Sequence, residues 1–317
     1  MKKIFIVLSA TGTIVLLFSF GSFQKSRPKP IQTIIIDPGH GGLDPGARGL
    51  ISTEANVSLD VAMKLGKTIE NEFPDIKIVF TRTTDILPGN MPNKDAALKY
   101  RADFANESRG DLFIAIHCNS AGRHAGGWYE KRVIAKIPHY KTVKKGKKMI
   151  KKKYYEYQYQ TYWVENLAHG TETYIWAVNK NDAKINSVSK NDDYSGEIDS
   201  TSVVTLPDPS DPAEKARMLI YAQNYFRKSL NLADLIEKEF AATGRVSRGV
   251  KQRNDKGIWV LQATGMPSIL VEIGFISNKE EELYINSDKG QEDIVTNIFT
   301  ALKAYKQRLE TRSDPVQ

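Results

Sequence analysis

Three apolar runs in this chain each lead to a residue able to bind a cation or carry a proton. Asp37-Pro38-Gly39-His40-Gly41-Gly42 follows the first, Ala115-Ile116-His117-Cys118-Asn119 closes the second, and Leu270-Val271-Glu272-Ile273-Gly274-Phe275 forms the third. Such endings constrain the fold, because an open α/β sheet gathers its chemistry outside the carboxyl ends of its strands, where residues distant in sequence meet. The rest of the chain keeps that rhythm. β-rich runs occur at 33–37, 76–81, 111–117, 172–178, 257–261 and 268–274. Between the first two, Val57, Val61, Leu65 and Ile69 recur at every fourth position, the stripe of a helix packed on a sheet, with Ser52 or Thr53 as its cap. A longer amphipathic helix is predicted over 215–242, stopping at Gly244, and a closing helix over 288–309. Together they predict an α/β fold: a single open, largely parallel twisted sheet with helices on both faces.

Two stretches break the rhythm and are expected as irregular insertions. The first, near 122–168, holds a lysine-rich run from Lys141 to Lys153 followed by Tyr154, Tyr155, Tyr157, Tyr159, Tyr162 and Trp163. It follows His117 directly and so overhangs any site there. Lysines interleaved with aromatics suit a sugar chain, an anionic polymer or a membrane surface, while a solvated insertion is the plain alternative. The second, near 179–212, is rich in Asn, Asp, Ser and Pro and reads as a loop, either a gate over the site or a tolerated surface segment.

At 317 residues and 41% hydrophobic content the chain has ample material for one large core. Lys2 and Lys3 precede a charge-free apolar stretch from Ile4 to Phe20, so residues 1–23 read as an export signal or an uncleaved anchor. Export places the protein in the periplasm or cell envelope. Residues 24–32, with Pro28 and Pro30, read as a linker, and 310–317 as a flexible tail around a 33–309 catalytic domain. Cys118 is the only cysteine, which excludes an internal disulfide. The net charge of +8 suits a polyanion, but export argues against nucleic acid.

Catalytic zinc takes three ligands from His, Asp or Glu and leaves one position to water. His40 and His117, each behind an apolar run, are the natural nitrogen ligands. A carboxylate completes such a set, and both Glu54 and Glu272 qualify. Glu54 opens a predicted helix, where favourable interaction with the helix dipole is its ordinary role. Glu272 lies inside an apolar strand, where a charge is costly unless paired or used. Asp37 is placed to orient a ligand or the turn.

These residues carry a resemblance. The Asp37–Gly42 motif, Glu54-Ala55-Asn56, Thr81-Arg82, Arg101 with Ala105-Asn106, Ile116-His117-Cys118-Asn119 and Val271-Glu272-Ile273-Gly274-Phe275-Ile276-Ser277-Asn278 together resemble the zinc-dependent N-acetylmuramoyl-L-alanine amidases. The resemblance spans roughly 33–309. It implies that His40, Glu54 and His117 hold Zn2+, that Glu272 is the catalytic carboxylate, and that Asn119, Asn56, Arg82 and Arg101 bind substrate or support the site. The implied substrate is peptidoglycan, cut at the amide between N-acetylmuramic acid and the L-alanine of the stem peptide, in wall remodelling or cell division. By position, 179–212 resembles a segment that in division-associated members covers the zinc until an activator protein binds. The lysine–tyrosine stretch is longer than the family's usual link. Two other readings stay open: a zinc peptidase cutting within the stem peptide, and a non-catalytic wall-binding protein.

Overall fold

A computed structural model describes residues 31–177, 212–255 and 257–311. The apolar segment 1–23, the linker up to residue 30, the polar stretch 179–212 except Pro212, and the tail beyond 311 lie outside the described residues. Among the described residues no helix is long and apolar enough to cross a membrane.

The elements alternate as expected. Strand β1 (Thr33–Pro38) leads to helix α1 (Glu54–Glu72), then β2 (Lys77–Phe80), α2 (Lys94–Glu107) and β3 (Leu112–Asn119). A long pair, β4 (Gly127–Lys145) and β5 (Lys148–Glu165), intervenes before β6 (Thr171–Ile175). Then follow α3 (Pro212–Ala242), β7 (Ser247–Gln252), α4 (Trp259–Ala263), β8 (Ser268–Phe275), α5 (Lys279–Asn286) and α6 (Asp288–Thr311). The main sheet runs β2-β1-β3-β8-β6-β7. Its neighbours are parallel except β6 against β8, so β1, β3 and β8 all end at one edge.

Alternation along these strands divides the side chains between two cores. On one face Ile34, Ile36, Ile114, Ile116, Ile269 and Val271 meet Val57, Val61, Leu65 and Ile69 of α1 together with Ile298 and Leu302 of α6. On the other, Ile35, Phe113, Ala115 and Leu270 meet Ala105 of α2, Met218 and Ala222 of α3, and Leu261 of α4. Asp37, His117 and Glu272 follow the parity of this second face. Register sets His117 level with Glu272 on β8, and Asp37 one same-face position earlier, opposite Ala115.

The run 257–261 is not a strand. Residues 259–263 form the helical turn α4, burying Val260 and Leu261, and the edge strand is instead 247–252. A short apolar run fits a buried helical turn as well as a strand, and the positive φ of Gly257 bends the chain just before it. The first insertion is not irregular either. Residues 127–165 form a two-stranded antiparallel ribbon, separate from the main sheet, closed at Gly146 with φ 63°. Its residues are Tyr, Val, Ile and Thr among the lysines, which suit an extended pleated strand without any core to join.

Candidate metal and catalytic site

Thr53 caps α1 by accepting the Asn56 N–H at 3.4 Å, which sets Glu54 at the first helical position facing the ends of β1 and β3. Its Oε1 lies 3.1 Å from His40 Nε2 and 2.8 Å from His117 Nδ1. Glu54 Oε2 accepts the Ala47 N–H at 2.8 Å, and Oε1 also accepts that of Cys118 at 3.2 Å. One ligand atom from each of His40, Glu54 and His117 lies within 4.8 Å of the others, the only such group of three among the described residues.

The loop that offers His40 is held in an uncommon conformation. His40 has φ 59°, the left-handed region that a side chain enters at some cost. Two buried arginines hold it there. Arg101 donates to the carbonyls of Pro38 at 2.8 Å and His40 at 2.6 Å and pairs with Asp37, whose Oδ1 also accepts from Thr81 Oγ1 at 2.5 Å. Arg82 donates to the carbonyls of Pro38, Gly39, Thr84 and Ala55. Gly39 admits the His117 ring, because a Cβ there would lie 2.5 Å from it. Arg82 is therefore spent on backbone and Arg101 on backbone and Asp37, although Arg101 also lines the cavity.

Electrostatics around the triad suit a cation. Burial would raise the Glu54 pKa, but hydrogen bonds from His117 and His40 hold it well below the usual carboxylate range. Burial opposes protonation of His40, yet Glu54 and Asp44 outweigh it and raise that pKa, whereas burial prevails at His117 and lowers its pKa. Asp44 Oδ2 meets His40 Nδ1 at 2.8 Å, the outer partner that orients a ligating imidazole, and Asp44 is in turn bound by Lys94 at 2.5 Å. Two imidazole nitrogens and a carboxylate oxygen also form the donor set of catalytic zinc sites. On geometry, charge and chemistry these residues fit a divalent zinc-like ion.

Glu272 lines the same cavity of about 440 Å³. It is 8% exposed, and its Oε2 is buried without a hydrogen-bond partner. Burial first, then the charge of Glu54, pushes its pKa well up, with Arg253 opposing and Glu172 adding to the rise. A buried carboxylate with so perturbed a pKa, in a cleft beside two imidazoles and a second acid, is a functional-site candidate. Asn119 also lines the cavity, with its Nδ2 donating to Glu172 at 3.0 Å. Asn56 does not join them. It is exposed on α1, because the helical turn that points Glu54 inward points its second neighbour outward. Cys118 is among the residues bordering the cavity, but it has the opposite strand parity from His117, is 3% exposed in the first core, and has its thiol pKa raised by burial.

Two carboxylates outside the expected set hold the site together. Glu172 lies opposite Glu272 across the antiparallel β6–β8 pairing. It accepts from Arg248 at 2.5 Å, Lys251 at 2.7 Å, Tyr174 at 2.8 Å and Asn119. It stands in the β-rich run Thr171-Glu172-Thr173-Tyr174-Ile175, so the rule that singles out Glu272 also reaches it. Glu282, 1% exposed on α5, accepts the N–H groups of Leu50, Ile51 and Ser52 at 2.7, 2.8 and 3.0 Å and fixes the approach to α1. No sequence signal marks it, since its partners are backbone.

Known proteins share this fold. A family model described as N-acetylmuramoyl-L-alanine amidase matches residues 34–304. The chain belongs to the N-acetylmuramoyl-L-alanine amidase family. The amidase AmiC of Escherichia coli O6:H1 is 28% identical over 287 residues, which cover 89% of this chain and 54% of that protein. The fold matches the CwlD amidase from Clostridioides difficile, solved in complex with the GerS lipoprotein, with TM-score 0.53 and 21% identity over 87% of this chain and 99% of that one. It also matches an N-acetylmuramoyl-L-alanine amidase from Clostridium difficile 630, with TM-score 0.51 and 21% identity over 87% and 97%. The chain spans 35%, 54% and 54% of the length of three curated relatives. The amidase fold in this chain thus carries the family's mostly parallel sheet, with the converging His40, Glu54 and His117 at its carboxyl edge.

Proposed function

We propose that this family member hydrolyses the amide joining N-acetylmuramic acid to the L-alanine of the peptidoglycan stem peptide, with zinc held by His40, Glu54 and His117. The observation that carries the reading is the convergence of those three ligand atoms in one cavity with the unpartnered carboxylate of Glu272. Zinc, when bound, supplies a Lewis acid and lowers the pKa of a coordinated water. Glu272 takes the proton of the attacking water and delivers it to the departing alanine nitrogen, a task its raised pKa suits. Asp44 fixes the His40 ring, Arg82 and Arg101 fix the loop that offers it, and Asn119 presents its amide at the cavity wall. Apolar Ile258, Val260 and Leu270 line the cavity and limit bulk water near the reacting groups.

This reading places the enzyme in the cell envelope, acting in wall remodelling or daughter-cell separation, and is supported by the apolar segment 4–20 and the family. Control by an activating protein belongs to the same proposal, supported by the lipoprotein complex solved for CwlD. The test is mass spectrometry of muropeptides after metal-loaded protein acts on purified sacculi, with a chelated control. Stem peptides released with a free N-terminal alanine are expected, and Glu272→Gln should slow release about 10²- to 10⁴-fold. Cleavage between amino acids would make the protein a peptidase, and binding without hydrolysis a wall-binding protein.

A further inference from the structure

The ribbon formed by β4 and β5 is the largest part of the chain that the hydrolytic site does not use. Its side chains are exposed along nearly the whole length, so it adds nothing to either core. Register sorts them onto two unlike faces. Tyr129 lies opposite Trp163, Val133 opposite Tyr159, Lys136 opposite Tyr157 and Tyr140 opposite Lys153, so these residues share one face with Tyr155. Glu130 and Glu156 fall on the other. The unpaired Ile134 makes the difference, because pairing it in an unbulged ladder would set Lys136 opposite Glu156. Between the Tyr129–Trp163 and Lys144–Met149 pairs the first face carries aromatic rings and lysines and no acid.

Those groups are arranged together rather than scattered. The Lys136 ammonium stands 4.0 Å from the Tyr155 ring centre and 5.7 Å from that of Tyr157, and Lys153 stands 5.0 Å from Tyr155. Tyr129 and Trp163 meet edge to face at 5.0 Å. Rings spaced along one strand face suit the flat C–H faces of successive sugars, and the intervening ammonium groups suit carboxylates. Chain neighbours link the base of the stripe to the lining of the hydrolytic cavity. Ala47 and Ser120 line that cavity, while Arg48 and Gly122 line a second hollow of about 680 Å³ at the ribbon's base, whose wall includes Arg123, Trp128 and Tyr129.

Resting on the amidase reading above, we propose that this ribbon face binds the peptidoglycan strand whose amide is cut in the cavity. The stripe extends the contact by roughly 50 Å, taking sugar rings on its tyrosines and stem-peptide carboxylates on its lysines. The occupant follows from charge complementarity and from the place of the acid-free face, whose basal hollow is lined by chain neighbours of the cavity residues Ala47 and Ser120.

The test is cosedimentation of the full chain with sacculi stripped of phosphate polymers, in a Glu272→Gln background so that the wall is not consumed. Combining Tyr155→Ser, Tyr157→Ser and Tyr159→Ser should weaken binding by at least about tenfold. The opposite-face pair Tyr154→Ser and Tyr162→Ser should change it by less than about twofold. Lys136→Gln with Lys153→Gln keeps the rings and should flatten the salt dependence of binding. Equal loss from both faces, no loss from the first, or wild-type binding only to phosphate-bearing walls or to anionic phospholipid vesicles would overturn the inference. Stem-peptide release by the wild type is scored on the same sacculi. Release without a face effect overturns the ribbon alone, and a face effect without release overturns the amidase reading alone.

Discussion

Replacing Glu282 by alanine should damage the proposed zinc site without touching any of His40, Glu54 and His117. Its carboxylate is 1% exposed and accepts three backbone N–H groups from residues 50–52 plus the Ser52 hydroxyl at 3.2 Å. Hydrogen bonds to a charged acceptor are worth about 1.5–3 kcal/mol each, but a simple sum overstates the loss. Leu50 and Ile51 are 53% and 66% exposed, so water can reach the freed donors once the carboxylate is gone. The net destabilisation should be about 2–4 kcal/mol, read from urea unfolding. The loop it anchors continues into Ala47 and Glu54, which exchange hydrogen bonds at 2.8 and 2.9 Å. Zinc affinity, measured by calorimetry, should therefore fall about 10- to 100-fold, as when an outer partner of a ligand is lost. Gly49→Ala is the companion change, since its Cβ would lie 2.0 Å from Glu282 Oε1. A stability change under about 0.5 kcal/mol would refute the anchoring. Lost stability with intact zinc affinity would refute the coupling to Glu54.

Three further outcomes follow from the same geometry. Glu54→Ala or His117→Ala should abolish stoichiometric zinc retention through gel filtration, as read by elemental analysis, whereas Asn56→Ala should retain the ion because its side chain faces solvent. Glu172 has its pKa lowered: burial alone would raise it, but bonds from Lys251, Tyr174 and Arg248 prevail. Its stabilisation is thus full above the ordinary carboxylate range and lost as pH falls through the lower native value, so the gap in urea midpoint between wild type and Glu172→Gln should narrow on acidification. Cys118 is 3% exposed with a raised thiol pKa, so a thiol reagent should label it only at the rate of unfolding, and rapid labelling of the native chain would contradict its place in the core.

Much of the fold was legible because it rests on local pattern. The stripe of Val57, Val61, Leu65 and Ile69 reports a helix and its buried face, and the Thr53 cap marks where that helix begins. Legibility failed where local pattern is degenerate. The apolar run at 257–261 is too short to separate strand from helical turn, and its role at the sheet edge passed to Ser247–Gln252, whose polar composition hides a strand. The lysine-rich insertion hid a regular ribbon for a related reason: with both faces exposed, it lacks the apolar alternation that reveals a half-buried strand.

By itself the sequence determined which chemistry was available: two imidazoles and two acids, each beside an apolar strand or at a helix start, in an order that resembles one family. It also determined that Glu272 is an anomaly, because the cost of burying an acid in an apolar run can be read without coordinates. The residues read one by one left Glu54 and Glu272 equal, and only the family resemblance separated them; the tertiary structure supplies the distances, which bring Glu54 within reach of both imidazoles across segments far apart in the chain. Only it showed Arg82 and Arg101 committed to backbone carbonyls and Glu282 to backbone N–H groups. Backbone partners leave no mark in a sequence because every residue offers the same amide, so which of them a buried charge will meet is settled by how the chain folds back on itself.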